Sequence, residues 1–165
     1  MKLRNWSLDD AESLLYHANN EKIAKHLTNV FPHPYTKQDA QFFIELCQNA
    51  DAEKQINYAV EVDGKAAGSI SVHCQTDVHE KSAELGYWLG EEYWGRGMIP
   101  QAVREVCREA FEVFDIVRIQ AEVFAENKAS QRVLEKAGFV REAVLKKSIY
   151  KNGKLQDSHL YALVK

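Results

Sequence analysis

Residues 82–103 read SAELGYWLGEEYWGRGMIPQAV, and the fold turns on how that stretch divides. Its first third alternates as a strand does. Leu85, Tyr87 and Leu89 share one face, and Glu84, Gly86 and Trp88 share the other. Its end opens a helix, because Val103, Val106, Cys107, Ala110, Phe111 and Phe114 recur at the spacing of one buried helical face. Between the two, Gly95 and Gly97 flank Arg96. Such a pair can be an ordinary tight turn. It can equally be a cradle, since the first N–H groups of a helix lack partners and, with the positive end of the helix dipole, attract anions. Glycine lets a phosphate approach backbone that a Cβ would hold away. Pro100, near the first turn, costs that helix no hydrogen bond.

Working outward, VRIQAEVF (117–124) reads as a strand and NKASQRVLEKAGF (127–139) as a helix stopped at Gly138. The last segment, 140–165, reads as two long strands around Asn152-Gly153, a strong hairpin signal. Toward the N-terminus, INYAVEV (56–62) and AAGSISVHC (66–74) join through Asp63-Gly64 as a second hairpin. A short strand over Lys2–Trp6 precedes a helix over Leu8–Asn19, capped by Ser7 with Asp10 three residues on. Two prolines in VFPHPYTKQDA (30–40) interrupt, and Thr36 restarts a helix to about Asn49. The order β-α-α-β-β-β-α-β-α-β-β predicts an α+β fold. It has a mixed, mostly antiparallel sheet of about seven strands and about four helices. The one strand–helix–strand crossover demands a parallel pair in the middle, and ligands collect at the C-terminal ends of such strands.

A chain of 165 residues with 45% hydrophobic and 27% charged residues fits one soluble domain over 1–165. The net charge of −3 argues against a general nucleic-acid binder. Cys47, Cys74 and Cys107 are odd in number and widely spaced, which points to reduced thiols and a cytoplasmic setting. No apolar run is long enough to span a membrane. His73 and His79 lack metal-ligand spacing, so no metal is expected. Neither familiar nucleotide loop occurs: GxxxxGK[ST] is absent, and GxGxxG would need glycine where Pro100 stands.

AELGYWLGEEYWGRGMIPQAV (83–103), followed some thirty residues later by ENKASQRVLEKAGF (126–139), resembles the GNAT (GCN5-related N-acetyltransferase) superfamily. Within it, the chain is most similar to the bacterial enzymes of the RimJ/RimL type, which acetylate ribosomal-protein N-termini. The resemblance runs along the entire chain and implies the GNAT fold with splayed parallel strands. It implies acetyl-CoA as co-substrate, its pyrophosphate on the GxG loop and its pantetheine arm along the Asn-x-x-Ser helix start. The residues it assigns to the cofactor are Trp88, Leu89, Trp94, Gly95, Arg96, Gly97, Met98, Ile99, Asn127 and Ser130. Arg132 and Lys136 read chiefly as solvated charge. The chain departs from the family habit at Glu92, where Gln or Arg is usual, and at Ile99, Pro100 and Gln101.

The resemblance further implies direct attack of an amine on the acetyl thioester. Glu84 is the expected general base, its carboxyl raised by burial beside Trp88; the alternative is a paired surface carboxylate. A strand N–H near Leu89 is expected to hold the oxyanion. Ser130 is expected to protonate the leaving thiolate, with Tyr150 and Tyr161 as weaker alternatives. Asn127 and Ser130 can equally serve the helix start structurally. The acceptor, a peptide N-terminus or a small-molecule amine, is expected between the loop after the first helix and the last hairpin, facing His33, Tyr35, Glu84, Asp157 and His159. Relatives are commonly monomers or homodimers. The competing reading is a regulatory module that binds acetyl-CoA without catalysis.

Overall fold

The computed structural model describes residues 1–165. Its strands are β1 (Lys2–Arg4), β2 (Gln55–Val62), β3 (Lys65–Cys74), β4 (Ser82–Leu89), β5 (Arg118–Phe124), β6 (Val140–Lys151) and β7 (Lys154–Val164). They form one sheet in the order β1-β2-β3-β4-β5-β7-β6. Every neighbouring pair is antiparallel except β4–β5. Both predicted hairpins turn on left-handed residues, Asp63-Gly64 and Asn152-Gly153, whose twist matches that of the strands they join.

The helices number five, one more than the sequence pattern predicts. They are α1 (Ala11–Ala18), α2 (Glu21–Ala24), α3 (Lys37–Gln48), α4 (Met98–Val113) and α5 (Lys128–Ala137). The capping box of Ser7 and Asp10 starts a 3₁₀ turn that runs into α1, and Thr36 with Asp39 forms a second box at α3. Gly138, at φ 99°, ends α5. The additional helix is α2, whose four residues are too few to show a period of 3.6; Asn20 caps it by accepting from the Lys22 N–H at 2.8 Å. No helix is long and apolar enough to cross a membrane.

The two faces of the sheet carry separate cores. Leu85 and Leu89 of β4 pack with Val103, Val106 and Leu134 of α4 and α5, while Trp88 packs with the cluster of Leu14, Tyr35 and Ile44 on the other face. The parallel pair is short. Its register runs from Ser82↔Arg118 to Glu84↔Gln120 and stops. Beyond that point β4 stays paired with β3 to Leu89↔Gly68, and β5 stays with β7 to Phe124↔Ser158. The sheet therefore opens between β4 and β5. The Gly90 N–H donates to Ala67 O on β3 at 2.7 Å, and Ser82 O accepts from Gln75 N at 2.8 Å. Backbone groups alternate along a strand, so those of Leu85, Tyr87 and Leu89 face the opening.

Candidate active site

The glycine loop is built by left-handed backbone on a stapled base. Gly95 (φ 76°) and Gly97 (φ 74°) both lie where L-residues are strained, and a Cβ on either would meet nothing within 4 Å. Open space thus lies before the amides that start α4. Trp94 Nε1 donates to Leu89 O at 2.7 Å, tying loop to strand. Arg96 Nη2 donates to Glu92 O at 2.9 Å, and its guanidinium lies 5.4 Å from the Tyr93 ring centroid. The unusual Glu92 has a partner of its own: its carboxylate is 3.5 Å from Nδ1 of the buried His17. Burial lowers the His17 pKa, against the opposing pull of Glu92. Glu91 accepts from Asn20 Nδ2 at 2.9 Å and pairs with Lys22. Two carboxylates therefore fasten the loop to α1 and α2.

A cavity of about 440 Å³ lies at the open end of β4, between the glycine loop and the start of α5. All ten residues expected to meet the cofactor line it: Trp88 and Leu89 from the strand, residues 94–99 from the loop and helix start, and Asn127 and Ser130 from α5. Asn127 Oδ1 accepts from the Ser130 N–H at 3.1 Å, so it is the cap of α5. Ser130 Oγ lies 2.8 Å from the Tyr87 hydroxyl. Burial pushes the Tyr87 phenol well above its ordinary range, so it keeps its proton. Tyr87 reads from the sequence as a core residue, because it alternates onto the face of Leu85 and Leu89. Of the other tyrosines considered as acids, Tyr161 is buried and donates to Glu135 Oε1 at 3.0 Å, and Tyr150 is exposed on β6. Lys22, Ile23, Lys25, His26 and Leu27 close the cavity from α2 and the residues after it. Arg132 and Lys136 line it too, placing two cations along α5 beside the glycine loop.

Residues 1–140 match the family model described as Acetyltransferase (GNAT) domain. The chain belongs to the GNAT acetyltransferase family. It is an acetyltransferase whose co-substrate is acetyl-CoA. The chain is 31% identical to the uncharacterized N-acetyltransferase YoaA of Bacillus subtilis, over 99% of this chain and 92% of that one. It is 36% identical to the putative ribosomal N-acetyltransferase YdaF of the same organism, over 62% of this chain and 56% of that one. Among solved structures, the microcin C7 self-immunity acetyltransferase MccE, in complex with acetyl-CoA and AMP, superposes with a TM-score of 0.84 at 29% identity. That match covers 99% of this chain and 91% of MccE.

The residues expected at the acceptor are placed less uniformly in this acetyltransferase. Glu84 shares the face of Trp88, as its alternation predicts, but it is exposed rather than buried. It sits in the last paired step of β4 with β5, four residues short of Trp88, so the tryptophan cannot desolvate it. Tyr35 is 5% exposed and packs on Phe31 at 5.1 Å between centroids, inside the core of α1 and α3. His33, two residues earlier, is exposed and does not line the cavity. Asp157 and His159 alternate onto the face of Tyr161, which meets α5, and neither lines the cavity. Asp157 instead accepts from the Lys147 N–H at 2.8 Å, and His159 is buried with its pKa lowered, first by burial.

Proposed function

We propose that residues 1–165 form a single N-acetyltransferase domain that moves the acetyl group of acetyl-CoA to a primary amine, a peptide N-terminus or a small-molecule amine, by direct attack. One observation carries this reading: a single cavity joins an amide-rich helix start at one end to a hydroxyl pair, Ser130 and Tyr87, and an open strand edge at the other. Amides of the glycine loop and the start of α4 would receive the pyrophosphate, with Arg132 and Lys136 supplying positive charge along α5. The Leu89 N–H, directed into the opening, would take the carbonyl oxygen of the thioester as it becomes an oxyanion. The amine would enter from the Trp88 face, where the carboxylates of Glu84 and Glu122 are exposed, and give up a proton before it attacks. As the tetrahedral intermediate collapses, the C–S bond breaks and the thiolate takes a proton from the Tyr87–Ser130 pair.

The peptide N-terminus is the acceptor favoured by the likeness to YdaF, a putative ribosomal N-acetyltransferase. The test has two stages. Acetyl-CoA and CoA should raise the melting temperature, ATP and NAD should not, and thiol release should then depend on an added amine. Stabilisation without turnover across a broad panel of peptides and polyamines would instead indicate a binding module. No stabilisation by any CoA species would overturn both.

A further inference from the structure

The hairpin of β6 and β7 outruns the sheet. β5 pairs with β7 only as far as Phe124↔Ser158, whereas β6 and β7 go on pairing from Ile149↔Gln156 to Lys151↔Lys154. The projecting tip stands against the residues that follow α2. There the buried Lys151 Nζ donates to the carbonyl oxygens of Leu27 and Thr28. Leu27 lines the cavity, as do Lys25 and His26. Further along the same loop, Phe31 meets Trp88 edge-on at 5.8 Å between centroids. The loop therefore lies over the Trp88 face, by which an acceptor would enter, and the hairpin tip borders it.

Both segments are charged one way, in a chain whose net charge is −3. Residues 22–38 hold Lys22, Lys25 and Lys37 and no carboxylate, and residues 143–156 hold Lys146, Lys147, Lys151 and Lys154 and none either. Lys22 is paired with Glu91. None of the others enters an ion pair. Lys151 is held by neutral carbonyls alone. Lys154 is its cross-strand partner, so the exposed Lys154 side chain shares the face that meets the loop. Lys25, also exposed, stands on the facing wall. Glu126 offsets part of this charge at His26, and the carboxylates of Glu84 and Glu122 stand on the strands rather than at the mouth. Charges of one sign gathered at the mouth of a cleft raise the local concentration of a ligand of opposite sign.

We propose that Lys25 and Lys154, with Lys151 between them, select a peptide acceptor that carries acidic side chains just after its N-terminal residue. This rests on the transferase reading above and names the substrate class within it. The free N-terminus passes between loop and hairpin onto the strands, where its ammonium meets carboxylates, and the acidic side chains behind it stay at the lysines. A polyamine, cationic along its whole length, would meet like charge at the mouth, so the same lysines disfavour it. The rim contacts do not touch the reacting atoms, and their effect falls on acceptor binding and its salt dependence rather than on the chemical step.

The test measures thiol release from acetyl-CoA with three peptides of free N-terminus that differ only after the first residue, where they carry Asp and Glu, Asn and Gln, or Lys. The acidic peptide should have a KM about tenfold below that of its amide counterpart at low salt, with a similar kcat, and the advantage should fade as salt is added. Lys154→Glu should raise the KM of the acidic peptide about fivefold, leave that of the amide peptide unchanged and lower that of the Lys peptide. Adding Lys25→Glu should widen the loss. Lys54→Glu, at the opposite end of the sheet, makes the same change in net charge and should alter none of these values. Equal KM values for the acidic and amide peptides would overturn the proposal, as would a preference that survives both reversals or one that Lys54→Glu shifts equally. Inhibition by a short single-stranded RNA, with no preference among the peptides, would assign the lysines to nucleic acid instead. A wild-type chain that acetylates none of the peptides and no polyamine would overturn the transferase reading rather than the selection.

Discussion

The Tyr87 hydroxyl lies 2.8 Å from Ser130 Oγ, joining the open edge of β4 to the first turn of α5. One hydroxyl of the pair can pass a proton to the departing sulfur while the other replaces it. A free thiol already has a pKa of about 8.5, so the leaving group is fairly good unaided. Ser130→Ala and Tyr87→Phe should each lower kcat about tenfold and leave the KM for acetyl-CoA nearly unchanged. Because the pair acts as a unit, the double variant should lose little more than the worse single one. Multiplicative losses in a double-mutant cycle would show that the two hydroxyls act separately.

The glycine loop gives a sharper steric test. Gly97 faces open space and has φ 74°, so Gly97→Trp both strains the backbone and fills the place proposed for the pyrophosphate. Thermal stabilisation by CoA should vanish, while the unliganded melting temperature falls only slightly. Retained binding by calorimetry would mean that the phosphates lie elsewhere.

Two other glycines are needed for the opposite reason, lack of space. A Cβ on Gly68 would meet Trp88 O at 2.4 Å and Leu89 Cα at 3.0 Å. Gly68→Ala should therefore push the end of β4 outward, cost about 1–3 kcal/mol by denaturant titration, and displace the Leu89 N–H. Its loss in kcat should exceed that of Ser130→Ala. A Cβ on Gly90 would come within 2.6 Å of His17 Nδ1, so Gly90→Ala should weaken acetyl-CoA binding by unseating the loop.

Acid should destabilise the protein through its histidines. Burial is the first cause that lowers the pKa of His17, His26 and His159 below the ordinary 6.5. For groups depressed in the folded state, the unfolded chain binds more protons between the two pKa values, so stability rises with pH there. It should be fully present above about pH 6.5 and be lost as the pH falls below it. Melting temperatures measured from about pH 8 to 5 should drop in that lower range, and His17→Gln should flatten part of the drop. A melting temperature that holds constant down to about pH 5 would contradict this.

The fold was legible where local chemistry repeats along the chain. Alternation in β4, the helical period of α4, and the turns at Asp63-Gly64 and Asn152-Gly153 together give the sheet order its constraints. The short helix α2 was not legible, since four residues carry no period, and with it went the closing wall of Lys22 to Leu27. Much of the cavity's lining could be read because it lies in two contiguous segments, 94–99 and 127–130. The acceptor side could not, because it depends on which face a residue takes across strands far apart in sequence. Tyr35 and His159 are polar residues that tertiary packing buries.

The most direct test of the central claim is a crystal structure of this chain with acetyl-CoA. The pyrophosphate should sit on the amides around Gly95 and Gly97, with the thioester oxygen within hydrogen-bond distance of the Leu89 N–H and the sulfur beside Tyr87 and Ser130. A cofactor bound outside the β4–β5 opening, or a thioester turned away from Leu89, would contradict the account.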